Sequence, residues 1–452
     1  MRILQIVHGF PPEAIAGTET YCEALSRGLL TRGHECLVLA GSERGAPEAT
    51  LSTVEQDGLL VTRYLMAERR SHRWMEEYDP EAEGLARHLL ALVNPEVVHL
   101  HHWLHLTNNL VAICSELGLP VVVTLHDVWT SCPRVHRIRS DGVFYSEPAV
   151  AAPCLTCVKR APWDSDREIA GTLSLRREMM ETELALADSI LVPSGAHRAL
   201  LLSLFDLPQE RLVVLPHGSI RTVAPNEGRQ GRLTFPNRPL QIGNWDYLMY
   251  EKGTHLILDA VHRLRDPSAV QLHLIGTADE RAYEQRLQNL AQGMPVQFHG
   301  PYRPDDLNGF DLDLAVFASI ASESYSFALD EALCLGLPVL VPDRAWRPFG
   351  ADRGSRTDLP SRGRRKYGPT APGTPRCATG VGHDAPGRPT RCVLFNGGPC
   401  RHTGKDLRRC RSHEQAGERA HRTCHALSQV DRVRQTAALG ARDRSGEVAG
   451  AA

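Results

Sequence analysis

A short run of aliphatic residues, then a loop, then a segment with helical spacing: this unit repeats along residues 1–343 and constrains the fold more than any other feature of the chain. Ile3-Leu4-Gln5-Ile6-Val7, Val97-Val98-His99-Leu100 and Val121-Val122-Val123-Thr124-Leu125 are too short for helices. They also lack the apolar–polar alternation of a strand with one wet face, so each reads as a strand covered on both sides. Pro11-Pro12 breaks the first of them, and Gly17-Thr18 then opens a helix, with Thr18 as N-cap and Tyr21, Leu25 and Leu29 as its buried face. Gly33 ends that helix, and Glu35-Cys36-Leu37-Val38-Leu39-Ala40 is the next strand. A helix over 110–117 and strands over 190–192 and 212–215 follow. After a polar stretch from Gly218 to Arg238 the series restarts at Leu240-Gln241-Ile242-Gly243. Helices are expected over 253–264, 280–291 and 327–335, and strands over 272–275, 296–298, 314–317 and 338–341. Alternation of this kind implies parallel sheets with helices on both faces. The expected fold is α/β, with two Rossmann-like parallel-sheet domains at 1–225 and 226–343 and the polar stretch as their linker.

After Asp343 the texture changes. Residues 344–452 contain no Ile or Met, and Leu, Val and Phe supply only 12 of 109 positions, too few to bury a core. They carry 22 Lys and Arg against 9 Asp and Glu, whereas residues 1–343 carry 29 against 44. The second domain is therefore expected to be incomplete and to be followed by a basic, disordered tail at 344–452. Residues 1–343 use 27 Arg and 2 Lys, the bias of a GC-rich gene. Out-of-frame codons of such a gene give an Arg/Gly/Pro-rich composition, which points to a reading-frame shift near Arg344. The acidic excess of the first part argues against nucleic acid as its partner. No apolar run reaches the ~18 residues of a membrane span. No export signal is legible at the start either, so the scattered cysteines read as reduced thiols of a cytoplasmic protein. Cys132, Cys154 and Cys157, with His136 nearby, could be weighed as a zinc loop. One C-x-x-C with a distant cysteine is a weak signature, and free thiols fit better.

Several residues stand where ligands bind. Gly17, in the first loop, lets backbone approach a ligand closely. His126 ends a strand on the carboxyl edge of the first sheet, where open α/β sheets take their ligands. Glu323-Ser324-Tyr325-Ser326-Phe327 is a loop that becomes a helix, and the free N–H groups of a helix start suit a diphosphate. Glu323 and Glu331 are eight residues apart, about 12 Å along a helix, too far for the paired carboxylates of a glycoside hydrolase. Lys252 is one of only two lysines before residue 344, in a chain that otherwise uses Arg, which suggests a need for a compact ammonium.

These residues fall in four stretches, in order: Gly17-Thr18-Glu19; Leu125-His126-Asp127; Gly243 with Glu251-Lys252-Gly253; and Glu323 followed by Glu331 and Gly336-Leu337-Pro338-Val339. In this the chain resembles glycosyltransferase family 4, the "group 1" retaining glycosyltransferases, over about residues 1–343. The resemblance implies a GT-B fold, with the two domains facing a cleft. It also implies transfer of a sugar from a UDP- or GDP-sugar to a glycan or lipid-linked acceptor in cell-surface polysaccharide or glycoconjugate synthesis. No cofactor or metal is implied, and such acceptors imply peripheral contact with the inner membrane face. Catalysis is assigned by resemblance to His126 (donor sugar or leaving group), Glu323 (transferred sugar) and Lys252 (departing β-phosphate). Donor binding falls to Gly17, Gly243, Lys252, Ser324, Phe327 and Glu331, the last on the ribose hydroxyls. Where many relatives have a basic residue after the glycine of the first strand of the second domain, this chain has Asn244.

Two rivals stay open. A nicotinamide-dependent oxidoreductase shares the Rossmann pattern, but the loop from Gly9 to Gly17 lacks G-x-G-x-x-G. A catalytically impaired nucleotide-sugar-binding protein would follow from truncation of the second domain.

Overall fold

A computed structural model describes residues 1–68, 74–75, 77–140, 142–145, 151–218, 223, 238–278, 280–321, 323–342 and the strand at 392–395. Contacts divide it into two units. Among the described residues, the first takes in 1–218, 321 and 323–327, and the second 223, 238–320, 328–342 and 392–395.

The first unit runs β1 (Arg2–Val7), α1 (Gly17–Thr31), β2 (Glu35–Ala46), β3 (Thr50–Gln56), β4 (Leu59–Ala67), α2 (Pro80–Val93), β5 (Val97–Leu100), α3 (Leu110–Glu116), β6 (Val121–Thr124), α4 (Ala151–Cys154), α5 (Asp166–Leu186), β7 (Ser189–Val192), α6 (Gly195–Leu204) and β8 (Leu212–Val214). Its eight strands lie in the order β3-β4-β2-β1-β5-β6-β7-β8, parallel except for the hairpin β3–β4. That hairpin, turned at Asp57-Gly58 with both residues at positive φ, has no counterpart in the expectations above. The continuous aliphatic strands are buried as expected: Leu4, Ile6, Val98, Leu100, Val121 and Val123 share one core with Trp103, Trp129 and Leu184. Helix starts follow local chemistry. Asp79 caps α2 by accepting from the N–H groups of Glu81 and Ala82, with Pro80 at the first helical position. Ser165 and Glu168 form a reciprocal capping box on α5.

Helix α1 corrects the expectation for its start. It begins at Gly17, so Ala16 is the cap residue and Thr18 lies inside the first turn; the Glu19 carboxylate takes the Ala16 N–H at 3.2 Å. Its buried face is Tyr21, Cys22 and Ser26, while Leu25 and Leu29 are half-buried. Small Cys22 and Ser26 let the helix sit close on the sheet. Ser26 satisfies its hydroxyl on the Cys22 carbonyl, so a polar residue costs little there.

The second unit runs β9 (Leu240–Trp245), α7 (Thr254–His262), β10 (Val270–Ile275), α8 (Arg281–Leu290), β11 (Val296–Phe298), β12 (Leu314–Val316), α9 (Phe327–Cys334), β13 (Val339–Pro342) and β14 (Cys392–Phe395). The strand order is β11-β10-β9-β12-β13-β14, parallel up to β13, with β14 antiparallel to it. The two α/β units with parallel Rossmann-like sheets are those expected from the alternation. The linker reading for 218–238 lies outside the described residues apart from Gly218, Val223 and Arg238. The reading of 344–452 as an aberrant or disordered tail lies outside them too, apart from the backbone of β14.

Candidate functional site

In a doubly wound sheet, ligands bind past the carboxyl ends of the strands where the strand order reverses. In the first unit that point is β1–β5, since β2 and β5 flank β1. The residues just past β1, β5 and the neighbouring β6 are His8, then His101 and His102, then His126 and Asp127. Side chains on adjacent parallel strands therefore meet, and they do so as imidazoles. His101 Nε2 lies 2.8 Å from Gln5 Oε1, His101 Nδ1 lies 3.0 Å from His126 Nε2, and His126 Nδ1 lies 3.1 Å from His217 Nε2. Tyr21 stands against the last two rings, with centroids 5.0 and 4.4 Å away.

A second group carries charge. His8 Nε2 is 2.9 Å from Glu19 Oε1, and Asp127 accepts the Trp129 N–H at 2.8 Å with His102 Nε2 3.6 Å away. Burial works against the His8 cation, but the Glu19 carboxylate beside it wins and raises its pKa. Burial likewise works to raise Asp127, yet hydrogen bonding and charge from His102, together with the Trp129 N–H, hold it well below the usual carboxylate range. The rings of the chain behave oppositely. Burial, and then the like charges of neighbouring histidines, pull His101 and His126 well below the ordinary histidine value. Burial brings His99 to about 4 and, with help from His197, His217 to about 3. At neutral pH these four rings are uncharged.

The segment 321–327 packs in this same unit. The Ser324 hydroxyl donates to the His126 carbonyl. The Tyr325 ring lies 5.0 Å from that of His217, and Phe327 stacks on His217 at 6.0 Å. A methyl group on Gly17 would meet the Phe327 ring at 3.4 Å, so that glycine allows a close approach to the start of α9. Of the residues singled out in the sequence, Gly17, His126, Ser324 and Phe327 are thus brought together, with Glu323 half-buried beside them. Both ring nitrogens of His126 are engaged by other histidines, which leaves its carbonyl as the group that touches the segment.

In the second unit the reversal lies between β9 and β12. Past β9 come Asp246 and a turn that carries Lys252; past β12 come Ala318 and Ser319. Gly253 joins the two, for at φ 71° its added carbon would sit 2.0 Å from the Ala318 carbonyl oxygen. Only glycine fits there. The Glu251 carbonyl accepts from the Ile320 N–H at 2.9 Å and the Ser319 hydroxyl at 3.2 Å, which fixes the turn on the end of β12. Lys252 Nζ lies 2.8 Å from Asp246 Oδ2, both side chains partly exposed. Asn244 is buried, donating to the Val316 carbonyl and accepting from Thr254. It ties β9 to β12 and α7. Gly243 lies within β9, where an added carbon would stand 2.6 Å from Leu312 and 2.9 Å from Trp245; the packing of the strand alone requires it. Glu331 is fully buried in α9, with Oε2 accepting from Trp245 Nε1 at 2.9 Å and the Tyr302 hydroxyl at 3.1 Å.

No site role was expected for Gln5, His101, His217, Asp246, Trp245 or Tyr302, and Tyr21 was expected only on the buried face of α1. The dense run His99 to His102 at a strand end was a signal for His101. Nothing local marks His217 or Trp245, whose partners lie 91 and 86 residues away in sequence. Among the described residues, no group of three or more His, Cys, Asp or Glu side chains could hold a metal ion. The Cys157 sulfur sits 3.4 Å from Arg134 Nη1.

Two family models match the chain in succession: Glycosyltransferase Family 4 over residues 15–219 and Glycosyl transferases group 1 over residues 237–349. The chain belongs to the group 1 glycosyltransferases. The Family 4 model falls on the first unit and the group 1 model mainly on the second, each with its own switch point. A glycogen synthase of Mycobacterium tuberculosis is 25% identical over 282 residues, which are 59% of this chain and 58% of that protein, so the chain spans little more than half of this relative. An uncharacterized glycosyltransferase of Methanocaldococcus jannaschii is 22% identical over 368 residues, 75% of this chain and 80% of the other. Among solved structures, the sucrose-phosphate synthase of Thermosynechococcus elongatus superposes with a TM-score of 0.51 at 17% identity, covering 75% of this chain and 80% of that one. That likeness is one of fold.

Proposed function

We propose that the chain is a retaining glycosyltransferase that moves a sugar from a UDP- or GDP-sugar to a glycan or lipid-linked acceptor, in polysaccharide or glycoconjugate synthesis. A lipid-linked acceptor would be met at the inner, cytoplasmic membrane face. The observation that carries the proposal lies within the first unit, where the segment 323–327 packs on the strand-end histidines: Ser324 donates to the His126 carbonyl, and Phe327 stacks on His217. The N–H groups that open α9 suit a pyrophosphate. The likeness to a glycogen synthase supports a saccharide product.

In the reaction, the bond between the anomeric carbon and the diphosphate oxygen breaks, and the diphosphate leaves with the electron pair. The acceptor oxygen bonds to the same face of that carbon, and its proton passes to the diphosphate. Charge builds on the leaving group, so a positive partner placed there in advance supplies much of the catalysis. Neutral His126 does not provide it at neutral pH. The group assigned to that role is Lys252, on the Gly253 turn at the switch point of the second sheet. Glu323 would contact the transferred sugar and Glu331 the ribose; the latter exchanges its bond to Trp245 or Tyr302 when a nucleotide takes it.

The test is a panel of UDP- and GDP-sugars offered with glycan acceptors, read by release of nucleoside diphosphate and by proton NMR of the product. Expected is turnover of one donor with its anomeric configuration kept. Consumption of none, or an inverted product, overturns the proposal.

A further inference from the structure

The links from Gln5 through His101 and His126 to His217 obey a proton count. Each neutral imidazole carries one ring proton, and each of the three links needs one. Gln5 presents Oε1, an acceptor, to His101 Nε2 at 2.8 Å, so the His101 proton must sit on Nε2. His101 Nδ1 is then bare, and the His126 proton must sit on Nε2 to fill the 3.0 Å link. The same step repeats at 3.1 Å, placing the His217 proton on Nε2 and leaving its Nδ1 bare. The structure agrees at both ends: His217 Nδ1 is a buried atom without a hydrogen-bond partner, and the Gln5 side chain donates to the Cys36 thiol, which turns its oxygen to His101. Three rings with three protons fill three links in one direction only.

We propose that Gln5 is a positioning residue that acts through His101 to set the ring tautomers of His126 and His217. The chain ends in a lone pair on His217 among the rings of Tyr21, Tyr325 and Phe327. Were a donor to stand where Gln5 Oε1 does, every proton would move to the other nitrogen and His217 would end in an N–H. A bare ring nitrogen suits a hydroxyl donor, whereas an N–H suits a phosphate oxygen. This last consequence rests on the glycosyltransferase reading of the site; the tautomers do not.

The experiment is a two-bond proton–nitrogen correlation spectrum of the full chain, labelled with nitrogen-15 in its histidine rings, near neutral pH and without donor. Single histidine replacements assign the peaks. Expected are Nε2–H patterns for His101, His126 and His217 alike. Gln5→Leu should turn all three into tautomer mixtures, while His255, which bonds to Tyr283 in the other unit, stays unchanged. Gln5→Glu, which keeps an acceptor oxygen, should restore the original pattern. An Nδ1–H pattern at any of the three rings in the native chain overturns the proposal, as does a Gln5→Leu spectrum with all three unchanged. Should Gln5→Leu not fold, the native spectrum decides. In transfer assays Gln5→Leu should lower kcat at an unchanged donor KM, and loss of donor affinity alone would count against a tautomer effect. Native tautomers as expected in a chain that transfers no sugar would sink the enzyme reading and leave this one standing.

Discussion

Past β5 and β6 the first unit sets rings that bond to one another and stay uncharged, beside the His8–Glu19 pair past β1. Past β9 and β12 the second sets an ammonium, paired with Asp246, on a turn so tight that only glycine fits at 253. Both sheets use the same place, the carboxyl side of a topological switch point, and fill it with opposite chemistry. The difference teaches where each depends on its surroundings. Neutral rings depend on burial, since water would let them take a proton. The ammonium depends on what stands opposite it, a carboxylate now and a phosphate in the proposed reaction.

The largest expected effect tests the charged side. Lys252→Ala should lower the transfer rate by ~10²–10³ with the fold intact, because a preorganised positive partner of the leaving group is gone. Initial rates at saturating donor check this, and a rate within a factor of two of the native chain would remove Lys252 from the chemistry.

The neutral side should break with acid. His99 titrates at about 4 and His217 at about 3 in the folded chain, against 6.5 when unfolded. The unfolded chain therefore takes up protons first, and the stability these rings hold above pH 6.5 is lost as pH falls toward about 3, the His99 share by about 4, and levels off below. His99 alone is worth roughly 3 kcal/mol of this, at about 1.4 kcal/mol per pKa unit. His8, raised by Glu19, works the other way, against the lowered His101, His102 and His126. Denaturant unfolding at several pH values should show the midpoint of the first unit falling over this range, and a flat midpoint would mean that water reaches the rings.

Much of this contrast could be read in advance, for a physical reason. Parallel strands buried on both faces leave an unmistakable aliphatic run, and the residue after such a run must lie on the sheet edge where ligands bind. His126 was legible on that account, and Lys252 because it is one of only two lysines before residue 344. Glu331 illustrates the limit. Its helix was legible, but its complete burial beneath Trp245 and Tyr302 arises from side chains 86 and 29 residues away. The hairpin β3–β4 escaped notice because its outer strand is largely exposed and polar, although Asp57-Gly58 was the turn signal to follow. Gly243, matched to a donor-binding motif, turns out to be required by Leu312 and Trp245 whatever else it does.

A smaller effect should follow from Glu331→Ala. It leaves the Trp245 N–H without the acceptor 2.9 Å away, at a cost of ~1–3 kcal/mol for an orphaned buried donor. A thermal melt of the full chain should show the second unit unfolding several degrees earlier, and an unchanged melt would mean that water replaces the carboxylate. Smallest is Asp246→Asn. The pair it breaks is partly exposed and worth at most ~1 kcal/mol, so nucleoside diphosphate affinity should rise by no more than about fivefold. Asparagine has the same shape as the aspartate it replaces, and its Oδ1 can still accept the Tyr247 N–H, which keeps the turn in place. Weaker binding would make Asp246 a support for Lys252 rather than its competitor.

The most direct measurement is calorimetric titration of UDP, GDP and their monophosphates into the native chain and into Lys252→Ala. The expected result is binding of one diphosphate, tighter than its monophosphate, and at least tenfold weaker in Lys252→Ala. No binding of either diphosphate, or equal binding by the native and Lys252→Ala proteins, would contradict the claim that this chain holds a nucleotide sugar by its pyrophosphate.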